Sequence, residues 1–371
     1  MNKYLKIIPP VLLLVIAFFM IAFPVTPDRE FSENENRYLA QMPKLSFSDV
    51  KSGKWMEDFE DYACDQFVFR DRLIGLKTLF EKATFHTQIN GIYLADDDYF
   101  IEPYKQPEKT EMIIRKVNNF TKNVNCKVSL MLVPTAVTVY EDKLPKSAVS
   151  CNQMDTLNEI YDNVNCDTID VASVLMEHKS EDGLYYHLDH HWTLKGAYYG
   201  YQAYADYAGI TPKDMSSYNY KEVTDSFKGT IYSKINDYTR KGDTMLSFEP
   251  ESKNITVTYP DGKVTDTLYE DSYLSEKDKY SYYIGNDSNS LITINNPDAL
   301  KDETLVIIKD SYANSILPYL VDYYKTIQVI NPRYFRIQRI SEFVNLSGAD
   351  SVLILYNMNT IDTDDGMRAI F

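Results

Sequence analysis

"TLVIIKDSYANSILPYLVDYYKTIQVINPRYFRIQRISEFVNLSGADSVLILYNMNTI", residues 304–361, decides the fold. It contains three short apolar segments, at 305–308, 327–330 and 352–356, and helix-length segments separate them. Apolar strands that alternate with helices are typical of a parallel sheet covered by helices on both faces. We therefore predict an α/β fold built around such a sheet.

Polar residues follow each predicted strand of this stretch. In an open α/β sheet the ligand crevice lies beyond the carboxyl ends of the strands. The residues expected there are Asp310 and Ser311, then Asn331 and Arg333, then Asn357 and Asn359. Ser311 is the candidate nucleophile, because it follows a buried strand and opens a helix whose first N–H groups can stabilise an oxyanion. An ordinary helix cap is the alternative role of Ser311.

A second polar cluster lies upstream, in "YYHLDHHWTLKGAYY", residues 185–199, which holds three of the five histidines. A serine nucleophile needs a histidine as base and a carboxylate to orient that histidine, and this loop supplies both. A divalent metal site made of Asp189 and two of His187, His190 and His191 is the rival interpretation, and a solvated turn is the third. We favour the triad, because adjacent side chains of an extended loop diverge and no further ligand cluster is evident.

The N-terminus predicts export. "IIPPVLLLVIAFFMIAFPV", residues 7–25, carries no charge and is long enough to span the hydrocarbon of a bilayer. We expect residues 1–27 to form an uncleaved signal anchor with Lys3 and Lys6 in the cytoplasm, which makes a single-pass membrane protein with an extracytoplasmic catalytic domain. A cleaved signal peptide is the alternative, and it also exports the chain.

Composition excludes some partners. The net charge of −16 over 371 residues argues against a nucleic-acid partner, which requires a basic surface. The four cysteines of an exported chain permit disulfides in three complete connectivities, but no CxxC spacing suggests a zinc or thioredoxin-type site.

Two regions are expected after the anchor. Residues 28–110 are predicted to be a helical lead-in that packs on the main domain, because apolar residues recur at helical spacing from 55 to 79. Residues 111–371 form the catalytic domain, with a β-rich insertion near 214–297 that includes a hairpin around Pro260, Asp261 and Gly262. Thr193 is expected to cap a helix that ends at Gly209.

"YYHLDHHWTLKGAYYGYQAY", residues 185–204, resembles the signature of the DHHW proteins of Gram-positive bacteria, a group similar to the SGNH-like alginate O-acetylation proteins. Further blocks that resemble this family are "ENRYLAQMPKLS", "GKWMEDFEDYACDQFVFRDRLI", "LMLVPTAVTVYEDKLP", "VIIKDSYANSILPYLVDYY", "INPRYF" and "DSVLILYNMNTI". The resemblance implies an SGNH-hydrolase-like sheet and a triad of Ser311, His191 and Asp189. The motif order is permuted relative to ordinary SGNH hydrolases, and Lys309 stands in place of their glycine.

The same resemblance implies that the chain is a membrane-anchored O-acetyltransferase that modifies a cell-surface polysaccharide. It would need no cofactor or metal of its own, because a membrane-bound O-acyltransferase partner would supply the acetyl group. The candidate substrate and oxyanion residues are Asp310, Tyr312, Arg333, Trp192, His190 and Asn357. Trp192 is expected to line the site or to pack beneath the loop, and Arg333 to hold an oxyanion or to pair with Asp310 or another acid. A carbohydrate esterase with the same triad and a non-catalytic polysaccharide-assembly protein are the alternatives.

Overall fold

The computed structural model describes residues 7–35 and 37–370. Lys3 and Lys6, on which the predicted orientation of the anchor depends, lie outside the described residues. The chain divides into two compact units, Met1–His86 with Ser233–Arg240 and Thr87–Tyr232 with Lys241–Phe371.

The first unit is mostly helical. The apolar helix α1 (Ile8–Ala22) continues as a 3₁₀ turn, Phe23–Val25, and together they are long and apolar enough to cross a membrane by length and composition alone. The other elements of this unit are the hairpin β1 (Phe31–Ser32) and β2 (Arg37–Tyr38), and the helices α2 (Phe47–Ser52), α3 (Lys54–Asp65) and α4 (Arg70–Ala83).

The second unit begins with residues of the predicted helical lead-in, 87–110. They form a three-stranded antiparallel sheet of β3 (Gln88–Ile89), β4 (Ile92–Leu94) and β5 (Phe100–Ile101) instead of a helix. The elements that follow are α5 (Thr110–Asn123), β6 (Lys127–Val133), α6 (Ala136–Val139), α7 (Gln153–Asn163), β7 (Asp167–Thr168), α8 (Val171–Glu177), α9 (Leu194–Ala208), β8 (Lys221–Phe227), α10 (Thr230–Ile235), β9 (Asp243–Ser247), β10 (Thr256–Thr258), β11 (Val264–Thr265), β12 (Leu291–Asn295), β13 (Lys301–Lys309), α11 (Leu317–Leu320), β14 (Tyr324–Ile330), α12 (Ile340–Ser347), β15 (Ser351–Asn357), α13 (Thr360–Thr363) and α14 (Gly366–Ala369).

The central sheet has eight strands in the order β11-β10-β12-β14-β13-β15-β6-β7. Strands β14, β13, β15, β6 and β7 are parallel to their neighbours in that series, as the alternation of strands and helices predicts. In the middle of this series Ile308 lies opposite Ile330 on one side and Ile354 on the other, and all three are fully buried. Contiguous β-branched side chains fit a strand that is covered on both faces.

The predicted parallel sheet is present, but it is only part of the central sheet. Strands β12, β10 and β11 are antiparallel and extend the sheet beyond β14, so three strands of the predicted insertion belong to the central sheet. Burial explains this placement: Val257, Ile292 and Ile294 alternate with more exposed residues, which favours an antiparallel strand with one covered face. The predicted hairpin around Gly262 is the β10–β11 pair.

Helix α9 begins and ends as predicted. The Thr193 hydroxyl accepts hydrogen bonds from the N–H groups of Lys195 and Gly196, and Gly209 ends the helix with a φ of 64°. Gly200 allows the indole of Trp192 to lie against the helix, because a Cβ at that position would come within 2.5 Å of the ring. The helix therefore holds the histidine-rich loop that precedes it.

Candidate active site

Ser311 lies where β13 ends. Asp310 caps a short 3₁₀ helix, Ser311–Ser315, and its carboxylate accepts a hydrogen bond of 2.9 Å from the N–H of Tyr312. The strand-to-helix transition is thus present at the predicted residue, although the first turn is a 3₁₀ turn and not an α-helical one. This tight turn places the serine at the carboxyl end of the parallel strands.

The histidine-rich loop is a narrow turn closed at its base. Tyr185 and Trp192 form an antiparallel bridge, and the N–H of Tyr186 donates to the carbonyl of His191. Asp243 fixes the start of the turn, because its carboxylate accepts from the N–H of Leu188 at 2.8 Å and lies 3.0 Å from His187 Nδ1. His187 therefore helps to hold the turn in place through its contact with Asp243.

The loop and the strand end meet in a continuous hydrogen-bonded line. His191 Nε2 lies 2.7 Å from Ser311 Oγ, and His191 Nδ1 lies 2.5 Å from Asp189 Oδ1. Asp189 Oδ1 also accepts from the N–H of His191 at 3.0 Å, which fixes the carboxylate within its own turn. The structure brings together the three residues that the sequence and the resemblance had selected.

Burial and neighbouring charge set the protonation of this line. Burial and the adjacent His190 lower the pKa of His191 to about 4, although the Asp189 carboxylate acts in the opposite direction. Burial alone would raise the pKa of Asp189, but the charges of His190 and His191 and the hydrogen bonds from His191 outweigh it and hold that pKa well below its usual range. At neutral pH the line therefore consists of an ionised aspartate, a neutral imidazole and a serine hydroxyl.

The imidazole is fixed from both faces. The ring of Tyr280 stacks on His191 with centroids 3.6 Å apart and planes 9° apart, and the ring of His190 lies 3.9 Å away on a 35° tilt. The Tyr280 hydroxyl donates to Ser315 Oγ at 3.0 Å. Tyr280 thus connects the proposed base to the same short helix that carries Ser311.

Trp192 and Tyr312 join the two halves of the site. The Trp192 indole donates to the Tyr312 carbonyl at 2.9 Å, and the Tyr312 hydroxyl donates to the His190 carbonyl. Both side chains are fully buried, so Trp192 packs beneath the loop, which was one of its two expected roles. These two contacts hold the loop at a fixed distance from the serine.

Residues that the sequence did not indicate complete the aspartate's surroundings. Asp189 Oδ2 accepts from the N–H of Thr230 at 2.8 Å and from its hydroxyl at 3.2 Å. Gly229 leaves room for this contact, because a Cβ there would lie 2.0 Å from Asp189 Oδ2. Both residues, like Tyr280, come from the predicted insertion, and no local motif in that region marks them.

Asp310 and Asn357 support the strand ends instead of facing a substrate. Asp310 Oδ2 accepts from the N–H of Asn357 at 2.7 Å, from its side-chain amide at 2.8 Å and from the Thr360 hydroxyl. The side-chain oxygen of Asn357 accepts from the N–H groups of Asn359 and Thr360. Because these hydrogen-bonding groups are used inside the protein, Asp310 and Asn357 have a structural role instead of the expected contact with a substrate.

Two further candidates take other roles. The N–H of Tyr312 donates to the Asp310 carboxylate, so it is not the expected oxyanion donor. The N–H of Ser311 donates to none of the described residues. Arg333 forms ion pairs with Asp287 and, at 3.3 Å, with Asp364. Of its two expected roles, Arg333 therefore has the second, pairing with acids, and these acids are Asp287 and Asp364 instead of Asp310.

The rival metal interpretation has a geometric basis. Asp189, His190 and His191 offer ligand atoms that lie within 4.8 Å of one another. An ion held there would have to displace existing hydrogen bonds, since both ring nitrogens of His191 have partners and His190 Nδ1 lies 2.6 Å from Thr230 Oγ1. The hydrogen-bonded line needs no such rearrangement.

The chain matches the family model described as DHHW protein over residues 82–330, and no curated protein sequence matches it. It is similar to the solved structure of a DHHW family protein from Eubacterium siraeum, with a TM-score of 0.67 and 25% identity over 76% of this chain and 96% of that one. It is also similar to PatB1 of Bacillus cereus with a sulfonyl adduct, with a TM-score of 0.62 and 20% identity over 76% and 98% of the two chains. A third similarity is to the O-acetyltransferase domain of Pseudomonas putida AlgJ, with a TM-score of 0.45 and 13% identity over 74% and 93%.

Proposed function

The chain belongs to the DHHW family, and from that premise we propose that it is an SGNH-like O-acetyltransferase that acts outside the cytoplasm on a cell-surface polysaccharide. Ser311 is the nucleophile, His191 the general base and acid, and Asp189 the residue that orients the imidazole. The apolar helix ending at Val25 supports anchoring of the enzyme in the membrane.

One observation carries this proposal: the line from Asp189 through His191 to Ser311, with distances of 2.5 and 2.7 Å. The carboxylate favours the tautomer with the proton on Nδ1, which leaves Nε2 free to accept the serine proton. The lowered pKa of His191 keeps the base unprotonated at neutral pH. A serine held only as a helix cap would need neither contact.

The first half of the reaction loads the serine. Ser311 Oγ attacks the carbonyl carbon of the acetyl donor while His191 Nε2 takes the hydroxyl proton, and we propose the Ser311 N–H as a donor to the resulting oxyanion. When the bond between the acetyl group and the donor breaks, His191 returns that proton to the leaving group. The product is an acetyl ester on Ser311.

The second half transfers the acetyl group. A sugar hydroxyl attacks the ester carbonyl while His191 removes the hydroxyl proton, and the proton then goes to Ser311 Oγ as the serine ester bond breaks. The donor must be generated outside the cytoplasm, so we propose a membrane-bound O-acyltransferase partner as its source. This chain then needs no cofactor for its own chemistry.

Transfer assays with an activated acetyl ester and a cell-surface polysaccharide test the proposal. Wild-type protein should give acetylated polysaccharide, detected by mass spectrometry, and Ser311→Ala should not. Release of free acetate at saturating acceptor, without acetylated polysaccharide, would identify an esterase with the same triad.

Labelling with a sulfonyl fluoride separates the non-catalytic alternative. PatB1 was solved with a sulfonyl adduct, and we choose this reagent class as the probe for Ser311. We expect an adduct on the peptide that contains Ser311, and none after Ser311→Ala. An unlabelled wild-type protein would favour a role in polysaccharide assembly. Zinc bound in stoichiometric amount, and lost on His191→Ala, would favour the metal interpretation.

A further inference from the structure

Helix α4 carries an apolar stripe on its surface. Leu73, Leu76 and Phe80 are spaced three and four residues apart, which places them on one face of a helix with about 3.6 residues per turn, and Phe69 immediately precedes the first helical residue. Their exposed fractions are 53%, 40%, 62% and 67%. We call these four residues the α4 stripe. Contiguous exposed apolar side chains of this kind mark an interaction surface.

The α4 stripe is not the face by which the helix packs in its own unit. That packing is made by Gly75, whose missing Cβ would lie 2.0 Å from the ring of Tyr238, and by Thr78, whose hydroxyl donates to the Ile235 carbonyl at 2.7 Å. Lys82 adds an ion pair with Asp237 at 2.6 Å. The helix thus has one face covered by residues 233–240 and a separate apolar face exposed.

The stripe is continuous with the apolar N-terminal helix. Phe19, in the last turn of α1, stacks on Phe67 with ring centroids 4.9 Å apart, and Phe67 lies two residues before the first member of the stripe. Phe23 makes an edge contact with Tyr62 of α3. If α1 spans a bilayer, these contacts hold the start of α4 at the level where α1 leaves the hydrocarbon.

We propose that the α4 stripe docks on the outer surface of the lipid bilayer, with its four side chains at the boundary between headgroups and acyl chains. Amphipathic helices bind membrane surfaces in this way, with basic residues beside the apolar face. Arg72 and Lys77 occupy the helical positions on either side of the stripe. They stand out in a chain with a net charge of −16 and suit contact with lipid phosphates.

This proposal rests on the membrane anchor of the proposed function, and one experiment on the full-length chain separates the two. The protein is reconstituted in phosphatidylcholine vesicles, and flotation reports whether it remains with the lipid. Tryptophan is then introduced by Leu76→Trp or Phe80→Trp in a Trp55→Phe background, and its quenching by lipids brominated on their acyl chains is measured. Trp192 is buried and contributes the same background to every variant.

We expect tryptophan emission at positions 76 and 80 to fall about twofold in brominated vesicles, because docked side chains reach the acyl boundary. The matched control is Leu346→Trp on α12, where a leucine is 79% exposed, and its emission should not change. Unchanged melting temperatures would show that the variants fold.

Each other outcome overturns the docking. A protein that floats with the vesicles but shows no quenching at 76 and 80 keeps its anchor and loses the proposed surface. A protein that floats, shows no quenching at 76 and 80 and has the mass of a dimer in detergent would mean that a second copy of the chain covers the stripe. A protein that fails to float has no anchor, and both the localisation and the docking are then wrong.

Discussion

Two buried aspartates, Asp189 and Asp310, lie beside the proposed reacting groups, and their pKa values are shifted in opposite directions. Asp189 lies against two histidines, and its pKa is held below the usual range even though burial opposes that shift. Asp310 precedes Ser311, and burial raises its pKa although the Thr360 hydroxyl, backbone N–H groups and Lys309 act against it. The difference teaches that the fixed negative charge belongs to Asp189, beside the imidazole, where it can stabilise the positive charge that develops in the reaction. Asp310 instead connects the ends of neighbouring strands through its hydrogen bonds to Asn357.

Replacing each aspartate by asparagine gives the largest contrast. Asp189→Asn should lower kcat by about 10⁴-fold, because the amide no longer stabilises the tautomer and the charge of the imidazole. Asp310→Asn should mainly reduce the free energy of unfolding, by about 1–3 kcal/mol, since the new amide faces N–H donors from Asn357. Steady-state kinetics and thermal melts measure both variants. A greater loss of kcat in Asp310→Asn would reverse the assignment.

Gly229→Ala tests the surroundings of Asp189 without changing a reacting group. The added Cβ collides with the carboxylate, so we expect kcat to fall about 100-fold as the hydrogen-bonded line is displaced. The control is Thr230→Ser, which keeps both donors to Asp189 and should retain nearly full activity. Wild-type kinetics in Gly229→Ala would show that Asp189 does not need its present position.

The pH profile tests the state of the imidazole. Because the pKa of His191 is lowered to about 4, the base remains neutral well below pH 6.5, and activity should fall only as pH approaches 4. A histidine with an ordinary pKa of about 6.5 would lose about 30-fold in kcat/KM at pH 5. The acid limb of kcat/KM, measured between pH 3.5 and 8 where the protein remains folded, distinguishes these cases.

The smallest effect is expected at the ring that covers His191. Tyr280→Leu removes the stacked ring and the hydroxyl, and we expect kcat to fall about tenfold because the imidazole is less well oriented. Tyr280→Phe keeps the ring and loses only the bond to Ser315, so its kcat should stay within about threefold of wild type. Equal losses in the two variants would show that the hydroxyl, and not the stacked ring, matters.

Local patterns predicted much of this molecule. The three apolar segments after residue 304 are strands β13, β14 and β15, and Thr193 and Gly209 bound helix α9 as expected. The strand-end serine and the histidine-rich loop were both identified, because a nucleophile at a strand end and a carboxylate–histidine loop have recognisable residue types. These features depend on residues that are close together in sequence, so they can be predicted from the sequence of one chain.

The remaining features depend on contacts between distant residues. Gly229, Thr230 and Tyr280 act on the site only because the predicted insertion folds back against it, and no periodicity in residues 214–297 encodes that return. The sequence did not indicate the partners of Asp310 and Arg333 for the same reason, since Asn357 and Asp364 are distant from them in sequence. The hairpin of β10 and β11 was predicted, but its membership of the central sheet together with β12 was not, because strand pairing is set by packing rather than by local pattern.

The most direct test of the central claim is the mass of the acyl-enzyme. Full-length protein is mixed with an activated acetyl ester, digested and measured by mass spectrometry, before and after addition of the polysaccharide acceptor. The account predicts an acetyl group on the peptide that contains Ser311, which disappears as acetylated polysaccharide forms and never appears in Ser311→Ala. Acetylated polysaccharide made by Ser311→Ala at the wild-type rate, or an acetyl intermediate on another residue, would contradict it.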